Sequence, residues 1–188
     1  MQYRKMGRLG WSVSEIGYGM WGIAGGPGNF VGASYETAPL CLDAAVEAGC
    51  NFFDTAWVYG RGISEQMLGR LLRSYSDRRL YVATKIPPKN REWPPRPHDT
   101  LEDVFPAAHI REYTERSLEN LGVQKIDLLQ FHVWEDRWAE DETWQRAIAD
   151  LRAQGLIDGV GISVNRWEPT NCLKAIDTGL IDVIQVIY

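Results

Sequence analysis

The chain has 188 residues, 45% of them hydrophobic and 24% charged, with a net charge of -5. This is a globular composition with enough chain for one sizeable core, and its mild acidity argues against nucleic acid or an anionic membrane as partner, because both attract basic patches. There is no membrane-spanning apolar run and no apolar signal-peptide core at the N-terminus, and Cys41, Cys50 and Cys172 are an odd number in unrelated settings, which fits reduced, packed thiols and a cytoplasmic location.

Taken in order, residues 1 to 15 hold two short segments around Met6-Gly7-Arg8-Leu9-Gly10, read as a hairpin. Ile16 to Gly22 reads as strand one, its glycines suiting close approach of backbone or ligand. The loop from Ile23 to Ala33 is rich in Gly and carries Pro27. Cys41, Ala44, Ala45 and Ala48 then fall at i, i+3, i+4 and i+7, which predicts one helix face, with Gly49 as its stop. Strand two, Asn51 to Asp54, is apolar and aromatic until its last residue. Ser64 suits a helix N-cap, with Leu68, Leu71, Leu72 and Tyr75 on the buried side.

Leu80 to Lys85 is strand three. The connection from Ile86 to Ala108 carries six of the nine prolines, with Trp93 and Phe105 among them. Loops of this length usually serve a function, and one leaving the strand beside Lys85 is expected to act as a lid. A helix bearing Ile110, Tyr113, Leu118 and Leu121 follows, then strand four, Ile126 to Phe131, ending at His132. Trp144, Ala147, Ile148 and Leu151 mark the next helix, closed by Gly155. Strand five is Val160 to Val164, a helix begins near Pro169, and strand six is Ile181 to Ile187. Strands alternating with amphipathic helices predict right-handed crossovers and a parallel sheet covered on both faces. No internal boundary interrupts the pattern, so residues 1 to 188 are read as a single domain.

Three successive strands end in titratable groups: Asp54, Lys85 and His132. An unpaired charge at the end of a buried strand is costly, so Asp54 asks for a cation, and Lys85 is the candidate. This is the layout of an active site at the carboxyl edge of a parallel barrel. The same two residues also make sense as a structural ion pair, and Tyr59 or His132 taken alone as a packed side chain. A lone histidine with one carboxylate lacks the usual ligand count for a metal. Gly22, Gly25, Gly26 and Gly28 crowd together after strand one, but Pro27 intervenes and no acidic partner can be placed, which excludes a dinucleotide fingerprint. His98 and His109 are given no role.

The surrounding residues carry a resemblance. Asp54-Thr55-Ala56 with Tyr59-Gly60, then Gly62 with Ser64-Glu65 and Leu68-Gly69, Ala83-Thr84-Lys85, Asp127-Leu128-Leu129-Gln130 before His132, and Gly161-Ile162-Ser163 occur in the order found in aldo-keto reductases. The chain thus resembles that family of NAD(P)H-dependent reductases of aldehydes and ketones, built on a (β/α)8 TIM barrel whose amino-terminal end is closed by a hairpin. The resemblance places the family's catalytic tetrad on Asp54, Tyr59, Lys85 and His132. Tyr59 would be the general acid. A free phenol has a pKa near 10, and a nearby Lys85 ammonium, kept ionised by Asp54, is expected to lower it. His132 would orient the substrate oxygen or relay a proton. Ser163, Asn165 and Gln185 would hold the nicotinamide carboxamide, which both donates and accepts, with Gly22 and Asp54 also on the cofactor side. Val164 separates Ser163 from Asn165, where many members have the pair adjacent. The cofactor implied is NADPH, with NADH left open. Trp21, Trp57 and Trp134 lie at strand ends and are expected to wall an apolar substrate pocket, favouring uncharged aromatic or medium-chain carbonyl compounds.

A barrel of this kind closes with eight strands in about 250 residues, and six are legible here. The region that holds a phosphate after strands seven and eight has no counterpart. The expectation is a piece of a longer protein, whose open edges invite self-association and which alone would bind NADPH poorly. The alternatives to a reductase are an inactive fragment, or a non-catalytic nucleotide-binding subunit of the kind that the family resemblance also includes.

Overall fold

A computed structural model of the chain describes residues 1–24 and 36–187. Strand β1 (Tyr3–Met6) pairs antiparallel with β2 (Trp11–Ser14), turning through Gly10 at φ 69°. Strands β3 (Tyr18–Gly19), β4 (Phe52–Asp54), β5 (Tyr81–Ile86), β6 (Ile126–Phe131), β7 (Ile157–Ser163) and β8 (Val183–Gln185) follow one another in a six-stranded parallel sheet. The sheet curls into part of a (β/α)8 barrel. Helices α1 (Ala38–Glu47), α2 (Ile63–Ser74), α3 (Leu101–Val104), α4 (Ala107–Leu121), α5 (Glu142–Ala153) and α6 (Leu173–Asp177) occupy the crossovers. Every residue of β6 is buried, as a strand covered on both faces requires.

Register and the two-residue side-chain period fix what faces the hollow of the sheet. Asp54 pairs with Ala83, Lys85 with Gln130, Gln130 with Gly161, and Ser163 with Gln185. These residues therefore share the inner face, and Leu129, Phe131, Val160 and Ile162 point outward into the apolar layer beneath the helices. The inner face is narrow. A Cβ at Gly161 would stand 2.9 Å from Val183 O and 3.0 Å from Gln130 Cγ, so only glycine leaves room for the Gln130 side chain.

The hairpin lies against the floor of the sheet. Trp11 stacks on Tyr81 at 5.1 Å, the Tyr3 hydroxyl donates to Gly49 O at 2.8 Å, and Arg8 pairs with Asp182. Asn51 accepts from Ser14 N at 2.7 Å and donates to Ser12 O at 2.9 Å. On the outer side α2 meets α4 so closely that a Cβ at Gly69 would lie 2.4 Å from Leu121 O.

Several local expectations are corrected. Strand one shrinks to Tyr18–Gly19, and Trp21–Ile23 form a single 3-10 turn. The glycine-rich loop expected from Ile23 lies outside the described residues beyond Ala24. Helix α1 buries Ala38, Leu42 and Val46, whereas Cys41, Ala44 and Ala48 are exposed; the larger Leu and Val gain more from burial than alanine does. Ser64 is not a cap, because Gly62 holds the N-cap position at φ 93° and the Ser64 hydroxyl turns inward to Thr55. Strand β7 begins three residues before the expected Val160, and β8 covers only Val183–Gln185. Near Pro169 the chain turns instead of spiralling, and α6 waits until Leu173, where the Asp136 carboxylate accepts from Lys174 N at 2.8 Å and Ala175 N at 3.0 Å.

The long connection after β5 is ordered by its own polar groups. Lys89 N donates to Val104 O at 2.9 Å, and the buried Asp99 carboxylate accepts from Asn90 at 2.9 Å and from Arg96 N at 2.8 Å. Thr100 and Asp103 form a capping box at the start of α3. Trp138 and Arg137, from the loop after β6, donate to Asp99 O.

Candidate active site

Lys85 is 1% exposed and spends its three N–H bonds on Asp54 Oδ1 at 2.7 Å, Asp54 Oδ2 at 2.8 Å and Thr55 O at 2.9 Å. Asp54 sits at the end of β4 with its side chain 17% exposed. It also accepts from Gln130 Nε2 at 3.3 Å and Gln185 Nε2 at 3.0 Å. Burial lowers the Lys85 pKa, with Asp54 working against that fall.

The pair is seated by a polar network on its outer side. Thr55 Oγ1 and Ser64 Oγ are 2.7 Å apart. Glu65, fully buried, accepts from Thr84 Oγ1 at 2.6 Å and Asn120 Nδ2 at 2.8 Å. Burial raises the Glu65 pKa against the pull of these hydrogen bonds. The segments Thr55-Ala56, Ser64-Glu65 and Thr84-Lys85 thereby tie α2 and α4 to the strands that deliver Asp54 and Lys85.

Tyr59 lies in the loop between β4 and α2, where Gly60 at φ 66° and Gly62 at φ 93° make a turn that other residues resist. A Cβ at Gly60 would stand 2.6 Å from Ala24 O. The Lys85 ammonium is 5.3 Å from the centroid of the Tyr59 ring, and the Tyr59 and His132 rings are 5.7 Å apart, edge to face. All four titratable residues are thus gathered at one end of the sheet. The expected lowering of the phenol pKa is corrected: burial, and then the Asp54 charge, push Tyr59 above its ordinary value. His132 is held down to about 3, first by burial and then by Lys85, so its ring is neutral at pH 7, with Nδ1 buried and unpartnered.

The residues expected to bind a cofactor divide. Ser163 and Gln185 are register partners on the inner face, and Gln185 reaches Asp54 and Gln130. Asn165 is not with them: its Oδ1 accepts from Trp167 N at 2.9 Å in a local turn. Gly22 is buried within the turn after β3. Gln130 was given no role by the sequence, yet it faces the hollow, and its Oε1 is buried with no hydrogen-bond partner. Counting back two residues from His132 would have placed it on the inner face.

The three tryptophans do not form one wall. Trp134, 1% exposed, packs among Phe131, Trp138 and Trp144 at ring separations of 5.2, 5.8 and 5.3 Å, which corrects its placement in a substrate pocket. Trp57 turns toward α4 and meets Tyr113 edge-on at 4.8 Å, and Trp21 is 55% exposed. The aromatic group at the site is Trp93 of the long loop, 5.7 Å from His132. Among the described residues no group of three or more His, Cys, Asp or Glu is placed to hold a metal ion, and no helix is long and apolar enough to cross a membrane.

The chain is similar to known proteins over most of its length. An aldo-keto reductase of Bacillus subtilis, YhdN, is 30% identical over 177 residues, covering 94% of this chain and 51% of its own length. The 6-dehydroglucose reductase of Novosphingobium aromaticivorans is 32% identical over 169 residues, covering 86% and 51%. The holo form of aldo-keto reductase AKR11C1 from Bacillus halodurans superposes with a TM-score of 0.78 at 28% identity, covering all of this chain and 58% of that one. The chain spans about half the length of the curated relatives it matches. A model of the Aldo/keto reductase family matches residues 15–188, and the chain belongs to that family.

Proposed function

We propose that this chain carries the catalytic half of an oxidoreductase that reduces aldehydes and ketones to alcohols with a nicotinamide nucleotide. The carrying observation is the buried Lys85–Asp54 pair at the strand ends, with the Tyr59 and His132 rings against each other beside it. The relatives' names, reductases among them, support the same reaction class.

The inner face suits a nicotinamide. A carboxamide offers both a donor and an acceptor, and the Gln130 oxygen lacks a donor where the Ser163 hydroxyl and the Gln185 amide lie on the same face. The bound nucleotide supplies the hydride. Tyr59 holds the proton: its raised pKa keeps the phenol protonated at neutral pH. It can pass that proton to the oxygen that gains charge as the carbonyl is reduced, because an alkoxide is a strong base. Asp54 and Lys85 set the field around the phenol, and the neutral His132 has one N–H with which to hold the carbonyl oxygen. Trp93 meets that ring edge-on at 5.7 Å. The three free cysteines fit a reducing, cytoplasmic setting.

The test is turnover of a panel of uncharged aromatic and medium-chain aldehydes, with NADPH and NADH measured side by side. Reduction that depends on Tyr59 supports the assignment. Nucleotide binding without any reduction would turn the reading to a regulatory, nucleotide-binding subunit.

A further inference from the structure

A second cleft, of about 430 Å³, opens between the β4–α2 loop, the long loop after β5, and α4. Its volume is in the range of small-molecule sites. Three cations line it: Arg61, Lys89 and Arg91. None of the three makes an ion pair or a side-chain hydrogen bond among the described residues, and its one acidic lining residue, Glu112, is already taken by Arg116 at 2.6 Å. In a protein of net charge -5, the cleft is a local excess of positive charge.

Two further observations separate it from an ordinary solvated surface. Arg61 and Arg91 are the two non-glycine residues with positive φ, at 54° and 59°, among the described residues. Such backbone persists where its surroundings over-determine it and concentrates at binding sites. The walls are also aromatic: Trp57, Trp93 and Tyr113 line the same space over a floor of buried Pro87 and Pro88. Trp93 is 46% exposed and available for stacking.

We infer that this cleft binds a small aromatic anion: a planar ring against Trp57 and Trp93, with its phosphate or carboxylate among Arg61, Lys89 and Arg91. Guanidinium groups suit both anions through paired N–H donors. None of the tetrad lines the cleft, which meets the candidate active site at Trp93.

Calorimetric titration of the protein with phenyl phosphate, phenol and inorganic phosphate tests the assignment. Phenyl phosphate should bind more tightly than either half-molecule, and more weakly as salt is added. The double variant Arg61→Gly with Arg91→Gly removes two cations and relaxes both backbones, so it should fold and should lose about tenfold or more in affinity, equivalent to about 1.4 kcal/mol. Arg146→Ala, an exposed cation on α5, should leave binding unchanged. Phenol binding as tightly as phenyl phosphate, or wild-type affinity in the double variant, overturns the inference. So does an indole N–H spectrum in which phenyl phosphate shifts neither Trp57 nor Trp93.

Discussion

Gln185, on the last strand, donates through Nε2 to Asp54 Oδ2 at 3.0 Å across 131 residues of chain. The contact shows how strongly the sheet curls, because the two residues lie four strands apart in its order. It also means that Asp54 answers to Lys85, Gln130 and Gln185 together. A change at any of these moves the carboxylate beside Tyr59.

The first prediction concerns the acid. Tyr59→Phe keeps the ring that meets His132 and removes only the hydroxyl. Turnover should fall by about 10²-fold or more, the usual loss for a general acid, with nucleotide affinity nearly unchanged. Steady-state kinetics and a nucleotide titration read the two arms. Near-normal turnover would remove Tyr59 from the reaction.

Lys85→Met tests the buried pair. The variant leaves the Asp54 carboxylate with only amide donors in a largely buried place, and losing one partner of a buried pair costs about 3–5 kcal/mol. Because Asp54 keeps some solvent contact, the lower end of that range is expected, measured by urea unfolding. A loss below about 1 kcal/mol, the level of a surface pair, would show that the pair contributes little.

His132 predicts a pH dependence. Its folded pKa of about 3 lies below the unfolded value of about 6.5, so below pH 6.5 the unfolded chain takes up a proton that the folded chain refuses. The stability contributed by neutral His132 is therefore complete above pH 6.5 and is lost as pH falls toward 3. The slope is at most about 1.4 kcal/mol per pH unit. His132→Gln should flatten that acid limb, and the ring resonances should not titrate between pH 5 and 8 in an NMR experiment.

Gly69→Ala sets two effects against each other. Alanine is favoured over glycine in a helix by about 1 kcal/mol, but here its Cβ would stand 2.4 Å from Leu121 O. Forcing α2 from α4 should win, with a net destabilisation of about 1–3 kcal/mol as in other overpacked cores. Thermal unfolding decides, and a stabilised variant would show that the helices can part at little cost.

The succession of strands and the gathering of Asp54, Lys85 and His132 were legible, because each strand is an apolar run ending abruptly in a titratable residue. Directions of side chains outside the strands were not. Trp57 lies only two residues before Tyr59, but the turn through Gly60 breaks the alternation and sends the indole toward Tyr113. Trp134 looked like a pocket wall by its place after β6, and only the positions of Trp138 and Trp144 show that it belongs to an aromatic core. The face of α1 was misread because small residues at helical spacing mimic an apolar stripe that Leu42 and Val46 in fact provide. The acidity of Tyr59 depends on how deeply its ring is buried and on its distance from Asp54, which no spacing encodes.

The hairpin has a consequence for the order of assembly. Its own pairing is local, within residues 3 to 14, but its anchors are Gly49, Asn51, Tyr81 and Asp182, and a Cβ at Gly159 would meet Leu9 at 2.9 Å. These anchors come from β4, β5, β7 and the approach to β8 or the turns that lead into them, so they share a surface only after most of the sheet has formed. Contacts of such long sequence separation form late because the loops they close must first be ordered. The hairpin thus precedes all of its anchors in the chain yet is among the last elements to dock, and the indole of Trp11, stacked on Tyr81, reports when the floor has closed.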